Sequence, residues 1–334
     1  MSKKKKQHYV PKLYLENWCM EGTNHTNVYD KIQNKCRDNH IEDVASENYF
    51  YDINLEGVLS PQEIEHFGLQ GVDLSKVDNK QYIENLFADT VEVAFKNILE
   101  QIISRVRGMN AWEIKNCLFI KSEDAHLFSI IMAIQYLRVK EIRDSIKDSS
   151  KLLERALNDM GASQTFIDQY CKISKNQMKY IHGKILMNAE KILSFAQTFD
   201  SHIWVLLKNK TDKKFLTSDN PIGTIAHIKD PILSMSGVAS KGVEVYFPLS
   251  PDLLLIMLEK TYHANYEHQN RRIVEVDKID MVEYYNSYCV MNSSRCVYSI
   301  NGDFSIVDKL KAKNANILQS SQNELLWNGK TYAN

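Results

Sequence analysis

"TFDSHIWVLLKN", residues 198–209, holds the change of pattern that decides the fold. Up to Asp200, apolar residues recur every three or four positions, as along one face of a helix; after it they form an unbroken run. Three later runs, "KKFLTSD", "GVEVYFPLS" and "LLLIMLEK", are typical of short strands separated by turn residues. The sequence therefore predicts an α+β fold, in which a long-helix middle region packs against a mainly antiparallel sheet built from N- and C-terminal segments.

Helical periodicity fills the middle of the chain and returns once near its end. The helices that it predicts span about 60–109, 122–147, 164–199 and 277–291. The third has an apolar stripe at heptad spacing with polar Asn188 in one seam position, which predicts antiparallel packing against another helix. Short strands are expected at 27–31, 41–44 and 295–299.

Length and composition indicate how these elements are organised. With 334 residues the chain can form one large domain or two of ordinary size. Only 12 glycines and 6 prolines occur, which disfavours disorder and loop-rich β architecture. We expect one integrated domain with three parts: a basic tail and β-hairpin segment (1–60), a helical region (61–200) and a β-rich region with one helix (201–334).

Charge and cysteine content narrow the class of protein. The net charge of −1 means that the whole molecule is not an electrostatic trap for nucleic acid, although a local basic surface is compatible with it. Its six cysteines show no CxxC spacing, which favours reduced thiols. No apolar signal core or run of about 18 apolar residues occurs, so we expect a cytoplasmic protein without a membrane segment. The tail Lys3–Lys6 is either a frayed end or a phosphate-contacting arm.

Arg138 is a charged residue on an apolar helix face. At 100° per residue it projects about 20° from Leu127, amid Ile131, Ile134 and Ile142. An uncompensated buried charge costs several kcal/mol, so the guanidinium needs an acidic partner or an anionic ligand. Two simpler alternatives stay open, namely that the side chain snorkels to solvent or pairs with Glu141 one turn on.

Two further polar residues project onto apolar faces of other helices, and a third lies beside Arg138. Glu84 faces the stripe that contains Phe87, Asn286 is flanked by apolar residues, and Gln135 sits one turn before Arg138. Each has a structural alternative: Glu84 suits the first turn of a helix, and Asn286 suits the edge of a strand. Arg138, Glu84 and Asn286 lie on three different helices and favour a shared polar pocket, which we take as the working hypothesis.

The stretch "FLTSDNPIG", Phe215–Gly223, ends an apolar run with Ser218, Asp219 and Asn220. One interpretation is an Asx-type turn closed by Pro221; the other is a rigid strand end that presents a hydroxyl, a carboxylate and an amide to a ligand. His8 carries the same ambiguity between a structural role and general acid–base chemistry. The other histidines lack HExxH spacing, and glycine-rich phosphate loops are absent.

Five segments carry a resemblance to a known family. "QHYVPKLYLENW", "NVYDK", "AIQYLR", "FLTSDNPI" and "FPLSPDLLLIM" resemble the HYVP-type bacterial proteins catalogued as a domain of unknown function. The likeness covers most of the chain, and the helix of Asn286 and the strand 295–299 also resemble the family's C-terminal segment. It implies stand-alone proteins of about this size and supplies no established activity or catalytic residue.

Three functions are compatible with these residues. The first is a nuclease-like hydrolase of a bacterial defence or toxin system, acting on nucleic acid or another phosphate-containing ligand. In it Arg138 clamps phosphate, Asp219 with Glu84 holds a divalent metal such as Mg²⁺ or acts as base, and His8 is acid or base. Substrate-binding residues would be Gln135, Ser218, Asn220 and Asn286. The second is a non-catalytic ligand- or nucleic-acid-binding protein. The third is a structural or partner-binding protein. Whether the chain binds a protein partner or forms a homo-oligomer stays open.

Overall fold

The structure is a computed structural model that describes residues 4–53, 80–228 and 236–314, with short pieces at 318, 324–327 and 330–333. Part of the helix predicted from residue 60 lies outside these ranges. Helices and strands follow each other as the change of period at Asp200 predicts. The expected α+β class is confirmed, because helices dominate up to Asp200 and antiparallel strands dominate after it.

The described helices lie mostly between residues 82 and 200. They are α1 (Lys12–Leu15), α2 (Tyr82–Leu86), α3 (Glu92–Gly108), α4 (Ala111–Asn116), α5 (Ser122–Arg138), α6 (Lys140–Asp159), α7 (Gln164–Tyr170), α8 (Lys175–Met187), α9 (Ala189–Asp200), α10 (Ile279–Asn292) and α11 (Ser305–Lys313). A π-helical turn, Phe87–Val91, joins α2 to α3. Three 3-10 turns lie at Glu16–Trp18, Ile41–Asp43 and Ala264–Gln269.

The strands form two sheets and two short pairs. They are β1 (Lys6–His8), β2 (His25–Asp30), β3 (Lys35–His40), β4 (Ser46–Asn48), β5 (Ile203–Asn209), β6 (Thr217–Ser218), β7 (Gly223–Ala226), β8 (Val243–Ser250), β9 (Leu253–Leu258), β10 (Arg272–Val276), β11 (Cys296–Ser299), β12 (Glu324–Trp327) and β13 (Lys330–Ala333). The larger sheet has the order β10-β5-β9-β8-β7, and the smaller has the order β3-β2-β11-β6. Only β10 and β5 pair in parallel among the described strands.

Two of the predicted helices are wrong in their boundaries. The helix expected at 122–147 stops at Arg138, because Val139 is extended (φ −67°, ψ 158°) and a new helix starts after it. The helix expected at 164–199 is three helices, α7, α8 and α9. Asn188 is not a seam residue; its side chain accepts the N–H of Lys191 and caps α9, a role that asparagine performs well.

One strand prediction is also wrong, and the others are confirmed with shifted ends. Residues 41–44 include the 3-10 turn Ile41–Asp43, and the strand that pairs with β2 is Lys35–His40. Asn34 at the tip of this hairpin has φ 51°, a conformation that asparagine tolerates in turns. The first strand of this hairpin, β2, pairs with β11 of the C-terminal region.

The larger sheet is covered on both faces, which explains its uninterrupted apolar runs. Successive residues of a strand point to opposite faces, and they join different clusters here. Trp204 and Leu206 of β5 belong to the cluster on the helical side, whereas Val205 and Leu207 pack with α10 and α11. Each such buried side chain contributes about 1.5–3 kcal/mol, so this sheet is the main source of stability.

Aromatic rings connect the helices to the sheet on its helical side. Phe247 of β8 packs against Tyr14 of α1, Phe95 of α3 and Phe128 of α5, with ring centroids 5.3, 6.2 and 6.3 Å away. These rings fix α3 and α5 side by side over the sheet. This cluster takes residues from all three parts of the chain, and their division at residues 60 and 200 stays a prediction. No helix in the described ranges is long and apolar enough to cross a membrane.

Candidate functional site

The extended segment at the start of the described chain separates two cavities. β1 pairs with β4 and ends at His8, the chain bends at Tyr9 and Val10, and the side chains of His8 and Tyr9 line different cavities. His8 lines a cavity of about 310 Å³, which we call the N-terminal cavity. Its lining residues are Lys4, Lys6, His8, Lys12, Glu42, Glu84, Ala88 and Glu92. Tyr9 lines a cavity of about 320 Å³, the Asp219 cavity, together with Glu47, Lys140, Asp144, Asp219 and Arg295.

Arg138 lies at the base of the N-terminal cavity, fully buried. Its Nη2 donates to the carbonyl of His8 (2.7 Å) and to Oε1 of Glu92 (3.0 Å), and its Nε donates to the Tyr51 hydroxyl (3.1 Å). The Phe87 ring stacks on the guanidinium at 4.5 Å. The acidic partner required by burial is therefore Glu92, which belongs to another helix.

The two local alternatives for Arg138 are wrong. The side chain is 1% exposed and does not snorkel. Glu141 accepts a hydrogen bond from the Ser294 hydroxyl (2.6 Å) instead, because the extended residue Val139 turns α6 away from the axis of α5. Three donors of the guanidinium serve protein acceptors, so Arg138 orients His8 and Glu92, and its role as a phosphate clamp stays a prediction.

Glu84 lines the same cavity from the first turn of α2, where the helix dipole also stabilises a carboxylate. Its side chain is 12% exposed and lies 4.0 Å from the Lys4 ammonium. Burial raises the pKa of Glu84, while the nearby Arg138 opposes that shift and Glu92 adds to it. Glu84 therefore retains its proton to a higher pH than an exposed glutamate does.

His8 has the opposite shift. Burial lowers its pKa to about 4, with a weak opposing effect from its hydrogen bond to the Ile41 carbonyl. The imidazole is therefore neutral at neutral pH. Nε2 lies 3.3 Å from that carbonyl, which can only accept, so Nε2 carries the proton and Nδ1 keeps a lone pair.

Gln135 supports this segment from below and does not line either cavity. Its Nε2 donates to the Tyr9 carbonyl (3.1 Å), next to the carbonyl that Arg138 holds. Two side chains of α5 thus fix the backbone of His8 and Tyr9. The Oε1 atom of Gln135 is buried and has no hydrogen-bond partner among the residues that the structure describes.

Asp219 lies on the other side of the segment that contains His8 and Tyr9, and its carboxylate binds the backbone of residues 294–296. Its Oδ1 accepts the N–H of Ser294, and its Oδ2 accepts those of Arg295 and Cys296, all at 2.8–2.9 Å. Complete burial raises the pKa of Asp219 to about 6, although the three N–H groups favour the charged form. The predicted local Asx turn is wrong for Asp219, because its donors come from a segment 75 residues later.

The remaining predicted binding residues complete the same connection. The Ser218 hydroxyl accepts the N–H of Asn220 (3.1 Å) and donates to its carbonyl (2.8 Å), so a serine forms the local turn in place of the expected Asx residue. The Asn220 amide donates to the Asn292 carbonyl (3.1 Å). Asn286 accepts the N–H of Leu216 and donates to the Lys214 carbonyl, which is the strand-edge role left open above.

The predicted common pocket is therefore only partly formed. His8 and Glu84 line the N-terminal cavity and Arg138 reaches it through Glu92, whereas Asp219 and Asn286 lie elsewhere. Neighbours of Asn286 such as Val282 and Cys289 belong to the cluster on the far face of the sheet, away from that of α5. The hypothesis of one recess shared by all these residues is wrong, because Asp219 lines another cavity and the helix of Asn286 covers the opposite face of the sheet.

The metal site predicted from Asp219 and Glu84 is not formed, since these carboxylates line different cavities. Within the described ranges, no group of three or more His, Cys, Asp or Glu side chains is arranged to hold a metal ion. Sequence reasoning missed Glu92 and Lys12, whereas Lys4 and Lys6 belong to the basic tail that it named as a possible phosphate-contacting arm. Glu92 has no signal of its own, because its role depends on α3 packing beside α5.

Comparison with known proteins adds the family. The family model described as protein of unknown function, DUF4238, matches residues 6–303, and the chain belongs to this family. The matched region contains both sheets, the hydrogen bonds of Asp219 and every lining residue of the N-terminal cavity except Lys4. No curated protein and no solved structure matches the chain.

Proposed function

We propose that the protein is a phosphodiester-acting, nuclease-like hydrolase with its active site in the N-terminal cavity. One observation carries the proposal: a neutral imidazole and a protonatable carboxyl group share a cavity with three lysines. The pKa of His8 is lowered to about 4 and that of Glu84 is raised. Two groups whose pKa values shift in these directions suit a base and an acid, respectively.

The lysines provide the positive charge that a phosphate requires. Lys6 pairs with Asp43, Lys12 lies 3.2 Å from Glu42, and Lys4 lies 4.0 Å from Glu84. All three side chains are about half exposed, so an incoming phosphate can displace these weak surface contacts. Lys5 adds to the charge of the same tail, which supports salt-sensitive binding of an anion.

The chemistry that fits these groups is acid–base hydrolysis. His8 Nδ1 takes a proton from water as the water oxygen bonds to phosphorus. Glu84 gives its proton to the leaving-group oxygen as the bond between that oxygen and phosphorus breaks. The products are a phosphomonoester and an alcohol. His8 gains one proton and Glu84 loses one, so the total number of protons on the two groups is unchanged. Arg138 is a positioning residue, because it holds the His8 carbonyl and Glu92 in place.

The test is cleavage of single- and double-stranded oligonucleotides and of bis(p-nitrophenyl) phosphate, with Mg²⁺, with Mn²⁺ and with a chelator. We expect His8→Ala and Glu84→Gln each to reduce turnover by about 100-fold or more, since acid–base groups contribute about that much. The matched controls are His268→Ala and Glu123→Gln, which are exposed and outside the cavities. Equal turnover by all variants would remove His8 and Glu84 from catalysis.

A non-catalytic nucleic-acid-binding protein is the alternative outcome of the same assay. It would retain oligonucleotides without cleaving them under any metal condition, and Lys6→Glu would weaken that binding. The same lysines support it, but the opposite pKa shifts of His8 and Glu84 favour the enzyme. A role in bacterial defence or as a toxin, and the HYVP segment as the family's signature, stay predictions.

A further inference from the structure

A second cavity with an excess of positive charge lies at the far end of α3. Its volume is about 410 Å³, and we call it the basic cavity. The C-terminal turn of α3, the end of β5 and the turn between β8 and β9 form its walls. The charged residues that line it are Arg107, Lys208, Lys210, Lys214, Asp212 and Asp252.

The charges of this cavity are not balanced. Four cations face two carboxylates, and Lys214 takes one of these, Asp252, at 2.7 Å. Lys210 pairs with Glu275 at 3.6 Å. Arg107 and Lys208 have no ion pair within the described ranges. Asp212 likewise has no ion pair in these ranges, and the lining residues keep four positive charges against two negative ones, a balance that favours an anionic ligand.

The floor of the basic cavity is rigid and polar. Asn209 is buried, and its Oδ1 accepts both the N–H and the hydroxyl of Thr211 at 2.9 Å. Its Nδ2 donates to the Lys213 carbonyl (2.6 Å). These bonds fix the loop after β5, so the cations on both sides of it are held around one space.

One face of α3 joins this cavity to the N-terminal cavity. Counting 100° per residue from Glu92, Lys96 lies at about 40°, Ile103 at about 20° and Arg107 at about 60°. Glu92 lines the first cavity, Ile103 and Arg107 line the second, and Lys96 between them is exposed. The fifteen residues from Glu92 to Arg107 span about 22 Å along the helix axis.

We infer that the basic cavity is a second phosphate subsite and that the substrate is a single-stranded nucleic acid running along this face of α3. The inference rests on the proposed function. At the duplex spacing of about 3.4 Å per nucleotide in one strand, 22 Å corresponds to about six nucleotides. Cavities of about 310 and 410 Å³ fall in the size range of small-ligand sites, which suits one nucleotide in each.

The test measures binding of a 5′-labelled 20-nucleotide strand, a dinucleotide and a 20-base-pair duplex to the full chain at several salt concentrations. The variant is Arg107→Glu/Lys208→Glu, and the matched control is Lys191→Glu/Lys313→Glu, which makes the same charge change at exposed positions outside both cavities. We expect the variant to weaken binding of the strand about tenfold or more and to reduce its salt slope by about 1.4, while the control stays near the native value.

The small substrates separate this inference from the proposed function. If the inference holds, dinucleotide binding and hydrolysis of bis(p-nitrophenyl) phosphate stay at native levels in the Arg107→Glu/Lys208→Glu variant. Unchanged strand binding, an equal loss with the control, preference for the duplex, or no strand binding by the native protein would each overturn it. A further outcome is that the variant loses strand binding while the native protein cleaves no substrate. This result would overturn the proposed hydrolase and still support the basic cavity as a phosphate subsite.

Discussion

Arg138 is the residue on which the N-terminal cavity depends. Its guanidinium is buried against Phe87 and donates to the His8 carbonyl, the Glu92 carboxylate and the Tyr51 hydroxyl. A buried charge with such partners is not in itself a gain in stability, because its desolvation offsets the attraction. Its value lies in orientation, since one side chain fixes the segment that carries His8.

Arg138→Met is expected to reduce the free energy of unfolding by about 3–5 kcal/mol, because it leaves Glu92 partly buried without its partner. Urea denaturation followed by circular dichroism measures this. Arg138→Met/Glu92→Gln should recover part of the loss, since both charges are then gone. An effect below about 1 kcal/mol for the single variant would mean that Glu92 reaches solvent freely and that the ion pair is unimportant.

At the scale of the element, ends of helices decide where side chains point. Val139 separates α5 from α6, and Asn188 separates α8 from α9. Neither break interrupts the apolar periodicity, which is why one long helix was predicted in each place. Residues past such a break keep their spacing in the sequence but change direction, as Glu141 does when it meets Ser294.

Asn188→Ala is expected to destabilise the protein by about 1 kcal/mol, because it removes the side-chain acceptor for the N–H of Lys191. Asn188→Ser keeps a capping oxygen and is the matched control. The measurement is the urea midpoint of both variants against the native protein. Equal losses for alanine and serine would show that α9 is held by its packing on α5 and not by its cap.

At the scale of the whole molecule, buried histidines control stability in acid. Burial lowers the pKa of His8 to about 4 and that of His182 to about 3, and the Arg143 guanidinium contributes to the second shift. In the unfolded chain both groups have pKa values near 6.5. Between pH 6.5 and about 4 the unfolded state therefore binds more protons, and the folded state loses stability as the pH falls.

His8→Gln is expected to flatten the rise of unfolding free energy with pH between about 4 and 6.5, by up to about 1 kcal/mol per pH unit. Asp219 works in the opposite direction. Its pKa is raised to about 6, so its contribution is lost as the pH rises from about 4 to 6, and Asp219→Asn should steepen the same rise. Urea denaturation at half-unit pH intervals tests both; an unchanged slope in His8→Gln would mean that His8 titrates normally in the folded protein.

The extent of prediction from sequence differs between elements and site. The strands β5, β8 and β9 and the helix α10 were predicted close to their positions, because long apolar runs and helical periodicity are local properties. The face of Arg138 was harder to judge. Met132, Ala133, Ile134, Gln135, Leu137 and Arg138 are all buried, so this end of α5 has no single buried stripe.

The sequence by itself determined the α+β class and the need of Arg138 for a partner, because periodicity and the cost of burying a charge are local properties. Only the tertiary structure decided that this partner is Glu92, 46 positions earlier, that Asp219 lines a separate cavity, and that Asn286 serves the other face of the larger sheet. Which acid meets which base depends on how helices lie over a sheet. Two faces of one sheet separate residues that look equivalent in the sequence.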